Sequence, residues 1–352
     1  MPMPMSKLTT VKLVAAVTAA TALAACSGPA ATSSTASSGG GDAGTTITVY
    51  NAQHEQLTAA WADAFTKETG IKVLLRNGDD LEMGNQIIEE GKASPADVFL
   101  TENSPAMDQV ENAHLLAKLD QGTLDQVPAR YRPAAGDWTG IAARSTVLAY
   151  NKTKLSEAQI PASLMDLSGP AWKDRIGAST GGADFQAIVS AMDQLKGPDA
   201  TLAWLKGIKD NARSFQDDTP VLAAVNKGDI EAGILYHYYS FVDQAQTGEN
   251  SNNVALHYFR NQDPGAFVSV SGGAVLASSK HQEQAQKFIA FITSKAGQQV
   301  LADGKSFEYT VGSNVPSNPK LVPLTDLQSP AIDPGTLNSP EVEDLMTRAG
   351  LL

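Results

Sequence analysis

The sequence predicts an α/β protein built from two lobes. Early in the chain, strands and helices alternate in a way that is typical of parallel strands joined by right-handed helical crossovers. The middle of the chain repeats this alternation, and two long apolar segments, residues 141–150 and 267–277, flank it. If both segments are strands that run from one lobe into the other, a ligand cleft lies between the lobes.

The first lobe begins with a short strand over residues 47–50, where apolar residues alternate with threonines. A helix is predicted over residues 54–69, because apolar side chains recur there at helical spacing and Gly70 is placed to end it. The elements predicted next are a strand, a helix and a strand at residues 71–75, 82–90 and 97–101.

The elements in the middle and at the end of the chain are predicted from the same hydrophobic periodicity. A strand over residues 230–235 is predicted to lead directly into the aromatic run Tyr236–Tyr239. The helices predicted for this part are at residues 185–195, 200–209, 221–227, 282–293 and 340–349.

The N-terminal residues are typical of an export signal. Lys7 and Lys12 precede an uncharged run over residues 13–25, which is shorter than the roughly 20 apolar residues that span a bilayer. Cys26 follows directly, as in a bacterial lipobox, and a small, polar stretch after it is typical of a flexible tether. The alternative is an ordinary secretory signal with a chance cysteine.

Composition excludes several classes of function. Cys26 is the only cysteine, so the folded part has no thiol for a disulfide, a nucleophile or a zinc–sulfur site. Without Lys7 and Lys12, 24 basic residues face 38 acidic ones. This excess of negative charge disfavours binding to nucleic acid and to anionic lipid. We therefore expect the protein to contact the membrane only through a lipid attached to Cys26.

Polar side chains follow three predicted strands at their carboxyl ends, where ligands bind in open parallel sheets. They are His54, Glu102 and the pair Tyr238 and Tyr239. Each also has a structural explanation: the histidine as a helix cap, the glutamate as a charge favoured by a helix dipole, and the tyrosines as packed phenols.

Together, imidazole, carboxylate and two phenols form a donor set that suits a hard cation. A free phenol has a pKa of about 10, so phenolate binding near neutral pH requires a strong Lewis acid such as ferric iron. The sequence contains no Walker loop, GxGxxG, GxSxG or HExxH motif, so nothing in it argues for an enzyme.

Several stretches resemble the ferric-ion-binding proteins of bacterial ABC importers, which are built like one lobe of transferrin. The resemblance covers residues 46–311 and is carried by ITVYNAQH, TGIKV, SPADVFLTEN, AWLKGIKD, YHYY, NQDPGAFVSVSGGAVL and FIAFITSKAGQ. It implies a type II periplasmic-binding-protein-like fold, with two doubly wound sheets joined by two crossover strands. It also implies that His54, Glu102, Tyr238 and Tyr239 bind Fe(III).

Many members of this family complete the iron shell with a synergistic anion. The matching positions are Gly182, Ala183 and Asp184 in a turn, and Asp218 and Tyr236 where asparagines are usual. Because two carboxylates would repel an anion, we do not expect a phosphate or carbonate site of the usual form. Water, Asp218 or another protein oxygen could complete the shell instead.

The expected protein is a monomeric solute-binding lipoprotein that passes ferric iron or a ferric chelate to an ABC permease. It is expected to be anchored through Cys26 to the outer face of the cytoplasmic membrane, or to be periplasmic. The expected parts are a signal peptide at 1–25, a tether at 26–45, an N-lobe at 46–144 and 270–318, and a C-lobe at 145–269 and 319–352.

Two alternatives remain open from the sequence. The same fold would suit a small organic cation or an organic acid if the tyrosines formed an aromatic wall. An exported hydrolase that uses Glu102 with His54 belongs to another class, and it would show turnover.

Overall fold

The computed structural model describes residues 44–337 and 339–352. The predicted signal peptide, the anchor at Cys26 and most of the tether lie outside the described residues. The described residues form one compact unit. None of their helices combines the length and apolar character needed to cross a membrane.

Nine strands and eleven α-helices are present in the described part of the chain. The strands are β1 Thr46–Asn51, β2 Lys72–Asn77, β3 Val98–Leu100, β4 Trp138–Asn151, β5 Ile176–Ala178, β6 Ala212–Ser214, β7 Ala232–Tyr236, β8 Val254–His257 and β9 Val268–Val275. The helices are α1 Glu55–Thr69, α2 Asp80–Glu90, α3 Ser104–Asn112, α4 Gln121–Leu124, α5 Ala183–Lys196, α6 Pro198–Asn211, α7 Asp218–Lys227, α8 Tyr238–Gln246, α9 Gln282–Thr293, α10 Lys295–Asp303 and α11 Ser339–Ala349.

The first part of the chain forms the predicted parallel crossovers. Strand β1 pairs in parallel with both β2 and β3. Helix α1 buries Leu57, Trp61 and Phe65, and it ends at Gly70, whose φ of 78° lies in the left-handed region that glycine tolerates. The α/β prediction for this part of the chain is confirmed.

Strand β4 connects the two halves of the molecule. All fourteen of its residues are buried. Residues up to Ser145 pair with β9, whereas residues from Thr146 onward pair with β7, and the end of the strand also pairs with β8. The change of partner between Ser145 and Thr146 therefore marks the crossing that the sequence predicts for this segment.

The two predicted sheets are joined through β4 into one nine-stranded sheet. The strand order is β2-β1-β3-β9-β4-β7-β5-β6, with β8 beside β4. The continuity arises because β4 is long enough to hydrogen-bond in both halves. Strand β9 begins at the crossing and pairs with β3 and with the first half of β4. The exact lobe boundaries stay a prediction.

Candidate metal centre

The four donors predicted from the sequence meet in one cleft. Nε2 of His54 lies 2.9 Å from Oε1 of Glu102. The Tyr238 hydroxyl donates a hydrogen bond to the same Oε1 atom at 2.8 Å. The ring of Tyr239 stacks on that of Tyr238, with centroids 4.3 Å apart. His54 and Tyr238, which are 184 positions apart in the sequence, are thus joined through Glu102 in one short hydrogen-bonded chain.

Asp184 extends this chain to the second tyrosine. Its Oδ2 atom accepts hydrogen bonds from the hydroxyls of Tyr238 and Tyr239, at 3.3 and 3.2 Å. Its Oδ1 atom accepts from Nδ2 of Asn103 at 2.8 Å. The carboxylate is therefore directed at the two phenols, and it adds a fourth oxygen-bearing side chain to the imidazole, carboxylate and two phenols that were predicted.

These side chains come together because each one stands where a helix begins. His54 precedes α1, Asn103 precedes α3, Asp184 lies in the first turn of α5, and Tyr238 is the first residue of α8. The N-terminal end of a helix carries a partial positive charge. Several such ends therefore face a cluster rich in carboxylates and phenols, which favours the ionised form of those groups.

Asp80 holds the segment that carries Glu102. Its carboxylate accepts hydrogen bonds from the backbone amides of Glu102 and Asn103, at 2.8 and 2.9 Å. Burial and the neighbouring charge of Glu102 together raise the pKa of Asp80 to about 8. This carboxyl group was not predicted from the sequence, although it follows the end of β2 by three residues, as His54 follows the end of β1.

His54 and Glu102 form an ion pair in this arrangement. Burial opposes the charge of His54, but the carboxylates of Glu102 and Glu308 outweigh it and raise the pKa of the imidazole to about 10. Burial likewise opposes the charge of Glu102, but Arg144 and His54 lower its pKa to about 2. The histidine proton thus occupies the position in which a metal ion would join the two side chains.

The two phenols are held in their neutral form. Burial, together with the charges of Asp184 and Glu102, raises the pKa values of both Tyr238 and Tyr239 well above their ordinary range. Burial and the charge of Glu102 also raise the pKa of Asp184 to about 7. A cation in the cleft would have to displace these protons, and a strong Lewis acid can do so because a metal lowers the pKa of the groups that it binds.

Two charged residues of this cluster were missed from the sequence. Arg144 is fully buried on β4, with Nη1 3.3 Å from Oε1 of Glu102 and Nη2 ion-paired with Oε1 of Glu308. Glu308 is also fully buried. A single arginine within the apolar run IAARSTVLAY is an indication that a buried partner exists.

The remaining predicted positions surround the same cleft. Gly182 and Ala183 start α5 beside Asp184. Asp218, the first residue of α7, is buried, and its charge contributes to the raised pKa of Tyr239. The Tyr236 hydroxyl lies 3.4 Å from Oδ1 of Asn103.

His237, which was not predicted as a metal ligand, is held in place by a backbone hydrogen bond and by ring stacking. Its Nδ1 atom accepts a hydrogen bond from the backbone amide of Ser145 at 3.2 Å, and its ring stacks on Tyr309. Burial lowers its pKa to about 4, so the imidazole is neutral near pH 7. It connects α8 to the point at which β4 changes partner.

A cavity of about 660 Å³ opens beside the donors. His54, Tyr238 and Tyr239 are among its lining residues, and Leu57 and Val300 are among the apolar ones. A cavity of about 600 Å³ lined by other residues includes none of the predicted donors. Access to the cleft is therefore from the side of the imidazole and the phenols.

Histidine and acidic side chains alone do not outline a metal site. Within residues 44–337 and 339–352, no group of three or more histidine, cysteine, aspartate or glutamate side chains is arranged to hold a metal ion. A metal bound by His54 and Glu102 in this cleft would find further oxygen atoms in the hydroxyl groups of Tyr238 and Tyr239.

Known proteins are similar to this chain in sequence and in fold. The family model for bacterial extracellular solute-binding proteins matches residues 93–331. An Fe(3+)-binding periplasmic protein of Serratia marcescens is 62% identical over 306 residues, which cover 87% of this chain and 90% of that protein. The major ferric iron-binding protein of Neisseria gonorrhoeae is 38% identical, with coverages of 87% and 93%. The crystal structure of iron-bound HitA from Pseudomonas aeruginosa superimposes with a TM-score of 0.83 at 40% identity, covering 87% of this chain and 99% of that one.

The geometry of Arg144 predicts a large loss of stability in Arg144→Met. The substitution leaves Glu308 and Glu102 without their buried counter-charge, and breaking a buried ion pair in this way typically costs about 3–5 kcal/mol. Urea denaturation of the metal-free protein measures the change. Arg348→Met, which removes an exposed ion pair with Asp344, is the control and should cost less than about 1 kcal/mol. Equal stability of the two variants would contradict the role given to Arg144.

Proposed function

Because the chain belongs to the family of bacterial extracellular solute-binding proteins, we propose that it captures ferric iron in the cleft and delivers it to an ABC permease. The family and the near relatives are solute-binding transport proteins and not enzymes. The hydrolase alternative is therefore set aside. His54, Glu102, Tyr238 and Tyr239 are the proposed ligands.

One observation carries this proposal. The four donors and Asp184 are joined by protons that they share over distances of 2.8 to 3.3 Å. Replacing those protons by one trivalent cation satisfies two carboxylates, two phenolates and an imidazole at once. Phenolate and carboxylate oxygens are hard ligands, which suit Fe(III). The relatives named for ferric iron binding support the same choice of metal.

The packing of the tyrosines argues against an organic cation. A cation–π box needs exposed ring faces around the ligand. Here the rings of Tyr238 and Tyr239 stack on each other, and the edge of His54 meets Tyr238 with centroids 4.7 Å apart. The faces are thus already in contact within the protein, whereas the hydroxyl groups are directed at carboxylates.

We assign the completion of the iron shell to Asp184 rather than to a synergistic anion. Its Oδ2 atom already contacts both phenols, so it stands beside the position expected for the metal. Asp218 is a second buried acidic group nearby, and burial together with the charge of Asp184 raises its pKa well above the usual range. An incoming phosphate or carbonate would meet both acidic side chains.

Capture would proceed by closure of the cleft. His54 and Glu102 belong to the part of the chain around β1 and β3, and the tyrosines follow β7 in the other part. A metal that binds all four side chains stabilises the closed state, because it has no comparable set of ligands when they are apart. The change of partner of β4 after Ser145 is the proposed hinge.

The cellular setting follows from the N-terminal sequence. We propose that residues 1–25 direct export and that Cys26 carries a lipid anchor at the outer face of the cytoplasmic membrane. The near relative from Serratia marcescens is named as a periplasmic protein, which supports an extracytoplasmic location. Labelling of intact cells with a fatty-acid analogue, compared with Cys26→Ser, tests the anchor.

Tyr239→Phe should weaken ferric binding by more than tenfold, which corresponds to more than about 1.4 kcal/mol, because it removes one of two phenolate ligands. Titration with ferric citrate should show a tyrosinate-to-iron charge-transfer band in the wild type and a weaker, shifted band in the variant. The control is Tyr150→Phe, a buried tyrosine at the far end of β4. Absence of any band in the wild type, or equal affinity in Tyr239→Phe, would refute the iron proposal.

Asp184→Asn tests how the shell is completed. The wild type should bind one ferric ion in buffer that lacks phosphate and carbonate, with no gain when either anion is added. The variant should bind more weakly and should recover part of the loss when an anion is supplied, because the repelling charge has been removed. Anion-dependent binding by the wild type would show that Asp184 does not complete the shell.

A further inference from the structure

We propose that Glu308 is a positioning residue that holds the imidazole of His54 with Nδ1 protonated and so leaves Nε2 free to bind the ferric ion. This inference rests on the proposed function and concerns the same site. Glu308 does not touch the metal position itself. It would act through the histidine ring.

The two oxygens of Glu308 have different surroundings. Oε1 is ion-paired with Arg144 and lies 3.5 Å from Nε2 of Gln53. Oε2 is buried and has no hydrogen bond of normal length within the described residues, and it lies 3.4 Å from Nδ1 of His54. A buried carboxylate oxygen without a donor is costly, so this oxygen requires the proton on Nδ1.

The need for a proton on Nδ1 fixes which tautomer His54 adopts when metal is bound. A neutral imidazole has one N–H and one nitrogen lone pair. With the proton on Nδ1 facing Glu308, the lone pair is on Nε2. Nε2 is the atom that lies 2.9 Å from Glu102, on the side of the other proposed ligands. A carboxylate that holds a metal-binding histidine in this way typically contributes 10- to 100-fold in metal affinity.

Backbone contacts hold Glu308 in place. The next residue, Tyr309, exchanges two hydrogen bonds with Ala143 of β4, at 2.8 and 3.0 Å. Arg144 is the neighbour of Ala143 and neutralises the carboxylate. The orienting group is therefore attached to the central strand, whereas His54 lies at the start of α1.

A purely structural role for Glu308 would be to neutralise Arg144. Glu308→Gln separates the two roles. The amide oxygen of glutamine should stay with Arg144, since a guanidinium can only donate, and this turns the NH₂ group toward Nδ1 of His54. Two donors then face each other, which disfavours the Nδ1-protonated form. The matched control is Glu231→Gln, which removes an ion pair with Arg175 elsewhere in the chain.

The first experiment uses wild-type protein with ¹⁵N-labelled histidine, loaded with gallium(III) as a diamagnetic ion of the same charge. Long-range ¹H–¹⁵N correlation should show His54 with a proton on Nδ1 and the metal on Nε2. A proton on Nε2 would overturn the inference, and this measurement needs no variant to fold.

The second experiment measures ferric affinity by competition with citrate. Glu308→Gln should lose 10- to 100-fold, Glu231→Gln should lose nothing, and Glu308→Gln should cost little more in a His54→Gln background. An equal loss with and without His54, or no loss, would overturn the inference while leaving the proposed function intact. Failure of the wild type to take up either metal would overturn both.

Discussion

The buried guanidinium of Arg144 is the interaction on which the cleft depends. It contacts Glu102, a proposed ligand, and Glu308, which faces His54. Without this positive charge, two carboxylates would be buried close together beside Asp184, and a buried charge without a partner is very costly. The arginine lies on β4, the strand that connects both halves of the sheet, so the charge balance of the site and the connection between the halves involve the same element.

The proposed donors of the cleft are neutralised by protons, and under the proposed function this would make the site selective for strong Lewis acids. Asp184, Tyr238 and Tyr239 have raised pKa values because they are buried among negative charges. A weak Lewis acid cannot displace phenolic protons near neutral pH, whereas a trivalent cation can. The helices that begin at these residues add partial positive charge, which lowers the cost of ionisation when the metal enters.

Much of this arrangement could be predicted from the sequence, and the physical reasons for the successful predictions also explain which features were missed. The strands before His54 and Glu102 and the position of Tyr238 after β7 follow from hydrophobic periodicity and from the rule that ligands bind at the carboxyl ends of strands. Strands β5 and β6 were not predicted, because neither of them has the continuous large apolar residues that mark β3, which has the same length. The pairing of Arg144 with Glu308 could not be predicted, since it depends on a bridge between segments 164 positions apart.

A crystal structure of the iron-loaded protein, with anomalous data collected on both sides of the iron absorption edge, tests the central claim most directly. We expect one strong anomalous peak, within bonding distance of His54, Glu102, Tyr238 and Tyr239, with Asp184 beside it. A peak at any other position, or a loaded protein with no peak between the imidazole and the phenols, would contradict the account.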